Sequence, residues 1–122
     1  MTIFIVVILV LNWNSLRILQ IITIIGYLLI IHLAFDAYLR PDKWLGLHRT
    51  FLGLVIHSAT WSGAISLALY GLSLFTPWNF FFLAAPHFLI DARKCSLQQR
   101  FGQNAYLVDQ FLHVVTILIT LR

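Results

Sequence analysis

The chain has 122 residues, 61% of them hydrophobic and only 10% charged, with a mean hydropathy of +0.91 and a net charge of +4. A soluble domain carries about a quarter charged residues. The composition therefore excludes an ordinary water-soluble globule and points to a single integral membrane domain over residues 1–122. The only cysteine, Cys95, excludes an internal disulfide and a cysteine-based zinc cluster.

In chain order, the stretch 1–12 is apolar up to Asn12, and Trp13, Asn14, Ser15 and Arg17 follow. Twelve helical residues reach about 18 Å, short of a hydrocarbon core of about 30 Å. There is no basic n-region or small-residue cleavage site of a signal peptide. This stretch reads as a short or tilted extra helix, or as an extension of the next one. A first span runs over residues 18–39 and ends at Arg40-Pro41, because proline disfavours helix at the residue before it. A loop over 40–49 carries Arg40, Lys43 and Arg49. A second span covers 50–75, with Ser58, Ala59, Ser62 and Gly63 as small residues that let helices approach closely. Thr76-Pro77 is a turn that starts a third, aromatic-rich span over 78–92, with Pro86 inside it to bend the helix. Arg93, Lys94 and Arg100 occupy the loop 93–100, and a last span covers 104–121. The fold class is all-α: a multi-pass transmembrane bundle of four main helices plus a short N-terminal helix.

Six of the eight basic residues fall in the loops 40–49 and 93–100, and the turn at 76–77 has none. By the positive-inside rule, both loops lie in the cytoplasm and the protein in the cytoplasmic membrane. That distribution reads as topology, so no nucleic-acid partner is expected; the partner is the lipid bilayer.

All four acidic residues are aspartates, and three stand four positions from a histidine: His32 and Asp36, His87 and Asp91, Asp109 and His113. Four residues is about one helical turn, so each pair shares a helix face. Ionisable groups in hydrocarbon are costly and mark sites. His32, His57, His87 and Asp109 lie six to nine residues from the nearest basic loop, or roughly 9–14 Å along a helix. The order reverses on the last helix, which runs the other way. Each aspartate is thus nearer the cytoplasm, with its histidine one turn deeper, as one shared site requires.

Histidine nitrogen and carboxylate oxygen suit Zn, Mn, Fe, Co or Ni. The expected metal residues are His32, Asp36, His57, His87, Asp91, Asp109 and His113, holding a divalent transition metal, zinc first. An aspartate one turn away also serves as partner to a ligating histidine. An open metal position makes hydroxide near neutral pH, with a free carboxylate as general base. The plainer alternative is that each pair is an interhelical hydrogen-bond clamp, with His57 a lone satisfied histidine. His48 reads as interfacial, and Asp42 and Lys43 as a solvated loop. Trp13, Trp44, Trp61, Trp78 and the Phe80–Phe82 run read as interface anchors and packing. Gln110 and Asn104 are second-rank polar candidates.

His-Leu-Ala-Phe-Asp (32–36), the basic loop, the early histidine of the second span, His-Phe-Leu-Ile-Asp (87–91) and Asp-Gln-Phe-Leu-His (109–113) together resemble the domain of unknown function family 3307. The resemblance covers about residues 28–120, with 1–18 as an N-terminal extension, and implies a small bacterial or phage integral membrane protein. The first motif departs from the family's usual His-x-x-Gly-Asp form. The family supplies no activity. A looser likeness to membrane-bound metal-dependent hydrolases rests on analogy.

Three functions follow from these residues. The first is a metal-dependent hydrolase acting on a lipid or other membrane-associated substrate. The second is a non-catalytic metal- or proton-handling protein or accessory subunit, working as a homo-oligomer or in a larger membrane complex. The third is a haem-binding bundle using facing histidines, against which the three aspartates argue. No nucleophile triad, phosphate loop or nucleotide fingerprint is present.

Overall fold

The computed structural model describes residues 2–121, with side chains from Ser15 onward. It is all-helical, with no strand among the described residues. The elements are α1 (Thr2–Leu33), a π-helical turn (Ala34–Tyr38), α2 (Pro41–Trp44), α3 (Phe51–Gly71), α4 (Pro77–Ala92), α5 (Lys94–Phe101), a 3₁₀ turn (Gly102–Asn104) and α6 (Ala105–Thr120). α1, α3, α4 and α6 are the four main helices expected. The N-terminal stretch is no separate element: α1 runs without a break from Thr2 to Leu33. Among the described residues, two stretches are long and apolar enough to cross a membrane, Ser15–Trp44 and Phe51–Gly71.

The local signals act as chemistry requires. Thr50 caps α3 by accepting from the Gly53 amide at 3.0 Å. Thr76 and Asn79 form a reciprocal capping box on α4, with Pro77 in its first turn. Pro86 sits inside an unbroken α4. The second span ends at Gly71 rather than 75. Residues 94–101, expected as loop, form the helix α5. Its polar composition, Lys-Cys-Ser-Leu-Gln-Gln-Arg-Phe, hid it from an apolar-span reading.

α3 packs on α4, α4 on α6, and α1 on both α3 and α6, while α2 rests on α3 and α5 on α6. The apolar core is Leu28, Trp61, Ile65, Ala68, Leu69, Leu83 and Ile117. These positions are in register with the histidines. Leu28 precedes His32 by four residues, Leu83 precedes His87 by four, and Ile117 follows His113 by four. Residues four apart share a helix face, so the core is one layer and the histidines are the next. The outward faces carry large apolar side chains: Ile30 is 68% exposed, Leu67 71%, Phe81 62% and Leu107 66%. The interior meanwhile buries His32, His57, His87, His113, Asp36 and Asp109. Apolar outside and polar inside is the reverse of a water-soluble arrangement.

Candidate metal centre

Asp36, His87, Asp91 and His113 each offer one ligand atom, and those atoms all lie within 4.8 Å of one another. They come from three elements: the π turn, α4 and α6. His87 Nε2 is 3.5 Å from Asp91 Oδ2, and His113 Nε2 is 3.7 Å from Asp91 Oδ1. Neither distance is a hydrogen bond of normal length. Both ring nitrogens of His87 and both of His113 are buried with no hydrogen-bond partner. The rings are fixed by packing instead. His87 stacks on Trp61 with centroids 4.1 Å apart and planes 12° apart, and meets His113 edge to face at 4.3 Å. Two imidazoles are thus held rigidly beside two carboxylates, with their nitrogens uncommitted. Nitrogen and oxygen donors in this mixture suit a borderline divalent metal.

Asp36 owes its place to the π turn. Leu39 N–H reaches back five residues to Ala34 O at 2.8 Å, which inserts one residue into the helical ladder. Such bulges recur at functional sites. His57, from α3, donates from Nε2 towards Asp36 Oδ1 at 3.3 Å and lies 3.3 Å from Asp91 Oδ2 as well. It thereby bridges the two carboxylates.

His32 is committed elsewhere. The Trp61 indole, which is only a donor, donates to His32 Nδ1 at 3.0 Å. A neutral His32 therefore carries its proton on Nε2 and donates it to Gln110 Oε1 at 2.9 Å. The Gln110 amide then donates to Asp36 Oδ2 at 2.9 Å and to Asp109 Oδ2 at 3.3 Å. Carboxylates accept and indoles donate, so both ends of the relay fix the orientation of Gln110. The relay holds Asp36 by Oδ2, the oxygen that His57 does not use.

The basic loops close the site. Gly53 lets the 40–49 loop lie on α3: a Cβ there would stand 2.0 Å from the Leu47 carbonyl oxygen. This contact brings in Asp42, which is 1% exposed and lies 3.7 Å from His57 Nδ1. Arg40 clasps Asp42 with two hydrogen bonds, at 3.2 and 2.9 Å. From α5, Lys94 Nζ bridges Asp91 at 3.0 Å and Asp109 at 3.3 Å. Burial opposes its charge, but Asp91, Asp109 and Asp36 outweigh that and hold its ammonium above the ordinary lysine range. Between the loops a cleft of about 660 Å³, lined by Arg40, Asp42, His48, Arg49, Asp91 and Lys94, opens from the acidic layer.

All seven residues singled out from the sequence join one network. Asp36, His87, Asp91 and His113 form the tight group, and His57 bridges two of its members. Asp109 connects through Lys94 and Gln110, while His32 is a relay residue with both nitrogens used. One reading needs correction: Asp42 is buried and engaged rather than solvated. Trp61, read among interface anchors and packing, packs fully buried beneath the histidines. Lys94 is an ion-pair partner as well as a topology marker. Gln110 is central, and its adjacency to Asp109 in an apolar span was the available signal. Asn104 is exposed and outside the network, and Trp13 lies outside the described side chains.

Fold and site define a small all-helical protein with a His/Asp cluster buried among apolar helices. The chain belongs to the family described as protein of unknown function, DUF3307, whose model matches residues 24–122. That range agrees closely with the region marked by the three motifs and leaves the first turns of α1 outside it. No curated protein and no solved structure matches the chain.

Proposed function

We propose that this chain is a multi-pass protein of the cytoplasmic membrane that holds a divalent transition metal, zinc first, between Asp36, His87, Asp91 and His113. We further propose that it hydrolyses a lipid or other membrane-associated substrate there. The observation that carries the metal reading is the four unpartnered, buried ring nitrogens of His87 and His113 beside two carboxylates. Buried polar atoms without partners are rare because each is costly. The apolar outer faces support the membrane reading, and the basic loops set the orientation.

The cleft supports a catalytic rather than a sealed structural role. A structural zinc site needs no route to solvent, whereas water reaching these four groups through the cleft would add as a fifth ligand or take the place of one carboxylate. Here Asp91 both belongs to the ligand group and lines the cleft. Bound metal supplies Lewis acidity and activation of water near neutral pH. The chain's own residues do the rest. His57 places an N–H between Asp36 and Asp91 and is the group positioned to pass a proton along them. Gln110 holds Asp36 in place. Lys94 balances Asp91 and Asp109 at the water-facing edge. Metal analysis of detergent-purified protein tests the reading. One equivalent of metal is expected, falling to near zero in His113→Phe, and a metal-free protein that also takes up no added zinc sinks it.

A non-catalytic proton-handling role has one observation in its favour. Ser58, Ser62 and Ser66 place three buried, unpartnered hydroxyls along α3, at four-residue spacing. A haem role has none: the histidine rings pack directly against one another and against Trp61.

A further inference from the structure

We propose that the cleft between the two basic loops binds the phosphate group of an anionic substrate, gripped by Arg40 and Arg49 with Lys94 and His48 beside them. The inference deepens the hydrolase reading, on which it rests for the step that binding would serve.

The charge balance of the cleft comes first. Its lining holds three permanent cations, Arg40, Arg49 and Lys94, against two carboxylates, Asp42 and Asp91. Both carboxylates are already engaged. Asp42 accepts from Arg40 Nε and Nη2 and lies 3.4 Å from His48 Nδ1, and Asp91 meets Lys94. Lys94 also meets Asp109, outside the lining, so Arg49 is the lining cation left without a carboxylate partner among the described residues. Metal on the Asp91 side would add to its charge.

Geometry makes the surplus selective. The pair with Asp42 fixes the Arg40 guanidinium, whose side chain is only 13% exposed. Asp42 takes the Nε–Nη2 edge of that guanidinium, and its Nη1 side is left, already oriented, for a further oxyanion. Arg49 comes from the next turn of chain and adopts a left-handed backbone with φ of 74°. That conformation is costly for a residue with a Cβ and persists where the surroundings or function demand it. Lys94 approaches from the opposite wall, on α5. Three donors arriving from both basic loops suit the spread oxygens of a tetrahedral phosphate, whereas one fork alone satisfies a planar carboxylate. The volume, about 660 Å³, lies in the range of small-molecule sites and leaves room for the group attached to the phosphate. Asp91 at the floor sets the bound phosphate next to the candidate metal ligands.

The test uses full-length protein in phosphatidylcholine nanodiscs. It is titrated with inorganic phosphate in one arm and compared in discs with and without phosphatidic acid in the other. Arg49 is exposed and outside the metal group, so Arg49→Gln is the principal variant, with Arg40→Gln as the second. Lys43→Gln, on the same loop but outside the cleft lining, is the control. Losing one charged hydrogen-bond donor weakens binding about ten-fold, and that loss is expected for Arg49→Gln with Lys43→Gln unchanged. Loss against inorganic phosphate assigns a soluble phosphate compound, and loss only against phosphatidic acid assigns a lipid headgroup; either carries the proposal. Equal loss in Arg49→Gln and Lys43→Gln means diffuse attraction and overturns it, as does no phosphate binding in either arm. Metal content is measured on the same samples. Full metal with affinity unmoved by the arginine variants overturns the cleft and leaves the metal centre standing. Arginine-dependent phosphate binding by a metal-free protein keeps the cleft and removes the metal centre.

Discussion

His87→Phe separates a ligand from a packing residue by the sign of its effect. The His87 ring is 1% exposed, stacks on Trp61 and touches His113. Phenylalanine keeps a flat ring of similar size in that stack and deletes two buried nitrogens that have no partner. Leaving a buried polar atom unpaired costs about 1–3 kcal/mol. In metal-free protein the substitution therefore removes a penalty, and His87→Phe is as stable as the parent or more so. With metal the order reverses. A ligand that binds only the folded state stabilises it by about 2.7 kcal/mol at a hundred times its dissociation constant. For a chain of this length that is a rise of roughly 10 °C in the thermal midpoint. The parent gains this rise on adding zinc, and His87→Phe does not. The assay is thermal unfolding of detergent-purified protein, with chelator and with zinc, alongside bound-metal analysis. A parent midpoint indifferent to zinc and to the other divalent transition metals refutes the reasoning. So does a Phe variant that responds as the parent does.

Three further outcomes are expected. Asp91→Asn removes the carboxylate that meets His57, His87, His113 and Lys94; it abolishes bound metal and lowers stability by about 3 kcal/mol, the low end for a broken buried pair because Lys94 is half open to solvent, read as a fall in the unfolding midpoint. Lys94 keeps its proton more tightly folded than unfolded, so its stabilisation is complete below the unfolded pKa of about 10.4 and is lost as pH rises through the higher folded value. Lys94→Met should flatten that alkaline limb of the stability profile; an unchanged limb rejects the ion pair. Cys95 is exposed on α5 beside the basic cluster, so an impermeant thiol reagent should label it in inside-out vesicles and not in intact cells, and the opposite pattern inverts the topology.

The helices were legible because each carries a long apolar run and a chemical boundary: Arg40-Pro41, Thr50 and Thr76-Pro77. The His/Asp pairs were legible because four-residue spacing has one meaning on a helix, and reversed order on an antiparallel helix restores the same depth. The π turn was not legible, since nothing in Ala-Phe-Asp-Ala-Tyr marks an inserted residue. Without it, His32 and Asp36 read as equivalent donors on one face. With it, His32 turns to Trp61 and Gln110 while Asp36 turns to His57. The loops misled for another reason. Charged residues between apolar spans read as solvated, yet Gly53 lets the loop fold down until Asp42 is buried. That contact depends on a backbone approach between segments, which no local pattern encodes.

The polar layer and the apolar exterior are two sides of one physical arrangement. In the membrane reading proposed above, helices facing lipid would gain nothing from hiding leucine, so packing would be guided by small residues and polar contacts. Here the polar contacts converge on one depth, sandwiched between the Leu28–Ile65–Leu83–Ile117 layer and the basic loops. Such a layer is stable only if its groups satisfy one another. Asp36, Asp91, His32 and Gln110 do so through the bonds described, and His57 does so through Nε2 alone. His87 and His113 do not, and their four unpaired nitrogens together represent a penalty approaching the whole margin of an ordinary fold, about 5–15 kcal/mol. A sequence under no demand for a ligand would lose half of that penalty by replacing either histidine with an apolar ring. Under the metal reading proposed above, a cation taking one nitrogen from each imidazole and one oxygen from each carboxylate would pair with all four groups at once.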